Sequence, residues 1–185
     1  MNAYEKQNRE RLINLLQKVP RKECPAGWEI AGRFAVGGLT EIGFSRSAEI
    51  LLVISSSGRG VIDCALGAKV SRDDESSGDW YMPAELVCRG IEPLESEIVQ
   101  IAGLHGGGLL TATRRGESLE VASPDWPKSD LFFCPNNKSA VSEGHQQGCT
   151  LIASDYFRAY GFSWSGNSFA FATSSDVTVF RRRSE

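Results

Sequence analysis

Residues 43–61 can be laid on residues 161–179 without a gap, and this internal repetition constrains the fold more than any other feature of the sequence. Gly43, Phe44, Ser45, Ser47, Ser56, Ser57 and Val61 match Gly161, Phe162, Ser163, Ser165, Ser174, Ser175 and Val179. A fainter third copy sets Leu109, Leu110, Gly116 and Leu119 on Leu51, Leu52, Gly58 and Val61. The offsets are 58 and then 60 residues, so the copies are nearly evenly spaced, as stacked supersecondary units are. Each copy reads as an apolar strand, a polar turn and a second strand. The turns are Ser56-Ser57-Gly58-Arg59, Arg114-Arg115-Gly116-Glu117 and Ser174-Ser175-Asp176, whose Gly or Asp tolerates the positive φ of a tight hairpin. Turn chemistry alone makes hairpins look alike, but it does not demand the Gly-Phe-Ser that precedes the first and last of them. The strands at 50–54 and 169–173 are apolar enough to be buried on both faces, which suits the inner strands of packed sheets.

The N-terminus has a different period. Leu12, Ile13, Leu15, Leu16 and Val19 share one helical face, Glu10, Arg11, Asn14, Gln17 and Lys18 the other, and Pro20 stops the pattern. The spacing predicts a helix over 3–19. Residues 1–20 are then a helix packed on the domain, and 21–185 a single β-rich domain with three hairpin repeats. The predicted fold class is mainly β, built from antiparallel hairpin units with one N-terminal amphipathic helix. Its units form either a small or irregular propeller-like array or two packed sheets.

The hydrophobic share of 41% and charged share of 23% are those of a globular chain rather than a disordered one. A net charge of -3 argues against a nucleic-acid partner, since phosphates demand a basic surface. The run Arg181-Arg182-Arg183 reads as a solvated tail. The charged start (Glu5, Lys6, Arg9, Glu10, Arg11) is unlike a signal peptide, and no apolar run approaches the roughly 18 residues of a membrane span. No membrane partner is expected. Five cysteines without close pairing then read as reduced thiols in the cytoplasm.

Gly43-Phe44-Ser45-Arg46-Ser47, Leu51-Leu52-Val53, Val61-Ile62-Asp63 and Gly67 together resemble a blade of a WD40-type β-propeller. The likeness covers about 25 residues there and about 20 more from Gly161 to Phe180. It implies a turn-supporting role for Asp63. Through residues 56–64, 102–108 and 160–163 the chain also resembles an uncharacterised bacterial family of small β proteins, which brings no established activity. A complete blade takes about 40 residues and propellers usually have at least four, so four would barely fit after the helix.

His105-Gly106-Gly107-Gly108 is the sharpest chemical motif. In α/β-hydrolases such a loop offers backbone N–H groups to an oxyanion, beside a Gly-x-Ser-x-Gly elbow. Here both Gly-Phe-Ser-x-Ser stretches lack the final glycine, no histidine follows Ser163, and Ser45 precedes the loop. No catalytic residue is therefore assigned. His105, Gly106 and Gly107 stand as a candidate binding loop, with a purely structural glycine loop as the plain alternative. Cys134, His145 and Cys149 lack the close pair of a zinc site, so no metal is expected. No phosphate loop of the nucleotide-binding kinds is present, and no cofactor is expected. Asp73 and Asp74 form an acidic loop near Trp80 and Tyr81, aromatic types that serve as binding anchors. Trp126, bracketed by Pro124 and Pro127, is either a buried anchor of a rigid turn or an exposed contact. These features favour a non-enzymatic protein-interaction module of a bacterial cytoplasm whose partner is another protein, with an immunity or antitoxin-like protein as one specialisation that they fit without demanding. The alternatives are a hydrolase-like enzyme using His105 and the acidic loop, and a small-ligand or carbohydrate binder.

Overall fold

Asn2 caps the first helix by accepting from the Glu5 N–H, while the Glu5 carboxylate accepts from the Asn2 N–H in return. The helix, α1 (Ala3–Leu16), stops three residues short of the expected end. Lys18 and Val19 instead donate to the Leu15 and Leu16 carbonyls, a tighter turn that leads into Pro20. The structure is a computed structural model and describes residues 2–76 and 78–183.

The remainder is mainly antiparallel β. In chain order the strands are β1 (Trp28–Ala35), β2 (Leu39–Phe44), β3 (Ile50–Ser55), β4 (Gly58–Asp63), β5 (Ala68–Asp73), β6 (Tyr81–Met82), β7 (Val87–Arg89), β8 (Ile98–Gln100), β9 (Ala102–Gly103), β10 (Ser118–Ala122), β11 (Ser129–Cys134), β12 (Thr150–Asp155), β13 (Ala159–Phe162), β14 (Ser168–Ala172) and β15 (Asp176–Arg182). They form four sheets, ordered β5-β4-β3-β2-β9, β6-β7-β8, β10-β11-β12 and β1-β15-β14-β13. Each is a meander of sequential strands. The exceptions are β9, which flanks β2, and β1, which pairs with β15 from the far end of the chain. Among the described residues no helix is long and apolar enough to cross a membrane.

The chain divides into two compact units. The smaller holds Met1–Ala26 and Thr111–Tyr156, hence α1 and β10 to β12. Leu16 and Val19 of its helical segment are buried with Phe132, Cys134, Ala140 and Cys149. The larger holds Gly27–Leu110 and the chain from Phe157 onward. As the run of apolar residues predicts, β3 is an inner strand buried on both faces. Leu51 and Val53 pack with Ala170, Ala172, Val177 and Val179, while Leu52 and Ile54 pack with Trp80, Cys88, Leu94, Val99 and Ile101. The matching strand β14 lies between β13 and β15. Its Phe169 stacks on Phe180 at 4.3 Å and meets the Trp28 edge at 4.8 Å, and each such buried ring contributes about 1.5–3 kcal/mol.

The repeat has a structural cause. In both copies Gly-Phe ends one strand, and the following serine (Ser45 or Ser163) is buried and makes the turn. Ser45 donates its N–H to the Ile50 carbonyl and Ser163 to that of Ser168, each at 2.9 Å. Their hydroxyls accept from later backbone N–H groups of the same turn, those of Ser47 and Ala48 in one copy and Ser168 in the other. The third copy differs. Its turn closes through Thr113 and Glu117, but Leu109 and Leu110 lie outside any strand, with Leu110 bridging only Phe162.

Candidate functional site

Glu41 is the single acidic residue of β2, and its side chain is wholly buried. It faces the sheet β6-β7-β8. Tyr81 donates its hydroxyl to Glu41 Oε2 at 2.8 Å, and His105 Nδ1 lies 2.6 Å from Oε1. Tyr81 Oη is also 2.9 Å from Nδ1. A buried carboxylate accepts and cannot donate, so the imidazole proton belongs on Nδ1, where it points at Oε1. That leaves Nε2 on a half-exposed ring, and among the described residues it has no hydrogen-bond partner. Burial, then its hydrogen bond to Glu41 and the charge of that carboxylate, push the Tyr81 hydroxyl well above the ordinary range, so it remains a donor.

The loop that carries His105 is tied to β2 by the backbone. Leu104 donates to the Thr40 carbonyl, and Gly103 and Gly106 exchange N–H···O bonds at 2.9 and 3.1 Å. Gly107 has φ +79 and so close an approach to Ile101 that a Cβ would lie 2.6 Å from its carbonyl oxygen. Both glycines that were candidates for ligand contact, Gly106 and Gly107, thus have positive φ and shape the loop. The loop leaves Leu104 and His105 at its surface.

The other sequence candidates divide. Trp80 is buried, packed in the core with Leu52 and Ile54. The Arg59 guanidinium lies 4.6 Å over its ring, and the Tyr81 ring is 5.6 Å away. Arg59 in turn holds Asp73 Oδ2 through two nitrogens at 2.9 and 3.0 Å. The Glu75 N–H, followed by Arg59, keeps the Asp73 carboxyl below the usual range. His105, Tyr81, Trp80 and Asp73 therefore belong to one connected chain of contacts, with Glu41 and Arg59 as links that sequence reasoning missed. Asp74 pairs with Arg72 on the surface. The carboxylate that meets His105 is Glu41 rather than the acidic loop. Trp126 lies in the smaller unit and is 79% exposed, the contact alternative rather than the buried anchor. Its turn is held by Arg9, which donates to the Pro124 carbonyl at 2.8 Å and pairs with Asp125.

A second exposed feature arises from the repeat itself. Arg46 and Trp164 occupy the same position in the two Gly-Phe-Ser-x-Ser stretches, and the Arg46 guanidinium lies 4.5 Å over the Trp164 ring. Glu97 fixes the first turn by accepting from the Arg46 N–H at 2.6 Å and the Ser45 hydroxyl at 2.7 Å. In the second turn, Ser165 donates to Glu49. Trp164 is 43% exposed beside a recess of about 130 Å³ lined by Phe44, Leu109, Leu110 and Phe162. The signal available in the sequence was the unlike pair at one repeat position, an arginine facing a tryptophan. Compared with family models and with curated proteins, the chain matches none.

Proposed function

We propose that this chain is a non-enzymatic protein-interaction module of the bacterial cytoplasm, a propeller-like array of antiparallel sheets that binds another protein. An immunity or antitoxin-type protein that occludes a toxin is the specialisation we favour. The pairing of β1 with β15 supports the propeller-like reading, because a propeller's last blade is commonly completed by a strand from the other end of the chain. The observation that carries the binding role is Trp164 held under Arg46 beside an apolar recess. Trp and Arg are among the residues that dominate the energetics of protein interfaces where a partner packs over them and excludes water. The stacking and the bonds to Glu97 order both turns before any partner arrives, which lowers the entropic cost of association.

The test is affinity capture from a bacterial host, identification of the bound protein, and calorimetric titration with that purified partner. Trp164→Ala should weaken binding roughly 30-fold or more, the level of a hot-spot residue, while Leu66→Ala on a separate exposed position should leave it unchanged. Unaltered affinity in Trp164→Ala and Arg46→Ala would reject this surface.

The Glu41–His105 pair favours a second reading, a general base that takes a proton at Nε2. Its check is a screen of esterase, phosphatase, glycosidase and nuclease substrates with the parent and His105→Ala side by side. Under the binding role neither protein turns anything over. A parental activity that falls about 10²–10⁴-fold in the variant would establish the catalytic reading instead.

A further inference from the structure

Cys134 ends β11 and Cys149 immediately precedes β12. These strands are antiparallel, and their register ends with Phe132 opposite Leu151 and Phe133 opposite Thr150. The next step of that register sets Cys134 opposite Cys149. Both residues are buried, at 0% and 1% exposure, in one apolar cluster with Phe132 and Ala140. Each thiol is also among the groups that perturb the other's ionisation. Directly opposed residues in an antiparallel pair have Cα atoms about 4.5–5.5 Å apart, inside the roughly 4.4–6.8 Å span that a disulfide bridges. The other three cysteines, Cys24, Cys64 and Cys88, are also free thiols, and no such register relates them.

We propose that Cys134 and Cys149 are a dithiol modification site that a small-molecule disulfide oxidises to a cross-strand disulfide. The bond would close the loop 135–148, from which Gln146 donates to the carbonyls of Leu15 and Ala140. Oxidation would thereby fix the seat of α1. In the first step one cysteine, as its thiolate, attacks a sulfur of the oxidant, forms a mixed disulfide and expels one small thiolate. In the second, the other cysteine attacks the protein sulfur of that mixed disulfide, forms the Cys134–Cys149 bond and expels the second small thiolate. The two cysteine protons end on the two released thiols. The protein loses two electrons and the oxidant gains them.

Burial sets the rate. Desolvation raises both thiols above the ordinary range, so the reactive thiolate is scarce until the loop opens. Cys149 is the entry point, because it follows Gly148 in a turn while Cys134 lies within a strand.

The experiment equilibrates the full reduced chain in native buffer with a series of oxidised-to-reduced glutathione ratios, traps it with a maleimide and maps it by non-reducing peptide mass spectrometry. The expected product is 2 Da lighter (two hydrogens lost). It should contain a linked Cys134–Cys149 peptide and leave Cys24, Cys64 and Cys88 alkylated. Cys149→Ser should abolish the mass loss, and Cys64→Ser should keep it. Should Cys149→Ser fail to fold, the parental peptide map decides alone. Five free thiols across the series, a stable glutathione adduct without the link, another pairing, or a link seen only in urea would each overturn the proposal.

Discussion

Glu41 shows how much a single buried charge organises. An ionised carboxylate taken out of water is costly unless its oxygens are satisfied, and here Tyr81 and His105 approach one oxygen each. Glu41→Gln keeps the shape but replaces one acceptor with an NH₂ group facing a donor. We expect it to destabilise the protein by about 1–3 kcal/mol in urea unfolding, the cost of leaving a buried polar partner unmatched. The same contact sets a pH dependence. Tyr81 is raised above its ordinary 10.0 in the folded chain, so above about pH 10 the unfolded chain loses this proton while the folded chain keeps it. Its contribution is complete below pH 10 and disappears as pH climbs through the folded value. Cys88, pushed up to about 11 chiefly by burial, adds to that alkaline loss. Denaturation midpoints measured from pH 8 to 11.5 should therefore fall more steeply in the parent than in Tyr81→Phe. Parallel curves would remove Tyr81 from this role.

At the scale of the element, the glycines of the repeat admit neighbouring backbone. A Cβ on Gly43 would lie 2.3 Å from the Gln100 carbonyl oxygen, and one on Gly161 would lie 2.3 Å from the Leu109 Cβ. In each copy, then, glycine lets another segment approach the strand closely, the end of β8 at Gly43 and Leu109 with Leu110 at Gly161. Gly43→Ala and Gly161→Ala should each cost about 1–3 kcal/mol through overpacking, while Gly60→Ala, whose Cβ would meet Ser71 at an ordinary 3.5 Å, should stay within about 0.5 kcal/mol. Equal thermal shifts in all three variants would contradict this account. The repeat was legible because the turn bonds of Ser45 and Ser163 lie within a few residues of one another in sequence. The sheet β6-β7-β8 was not legible, because strands of two or three residues carry no periodicity. Glu41 escaped notice for a related reason: its partners lie 40 and 64 residues away.

At the scale of the whole molecule, sequence order and spatial grouping part company. The first 26 residues join β10 to β12, whereas the next strand joins the far end of the chain. Each unit has its own apolar cluster, so local opening should follow the clusters rather than the order of the chain. Leu16 tests this. It is 6% exposed in the smaller unit's cluster, and Leu16→Asp would place an unpaired charge there. Amide hydrogen exchange should show β10 to β12 losing protection in that variant while β3 and β14 keep theirs, because Leu51, Leu52, Ala170 and Ala172 belong to clusters that exclude Leu16. Leu52→Asp should do the reverse and strip protection from β3 first, at a cost of several kcal/mol. If either substitution lowers protection equally across all these strands, the chain unfolds as one cooperative body and the division into two energetic units fails.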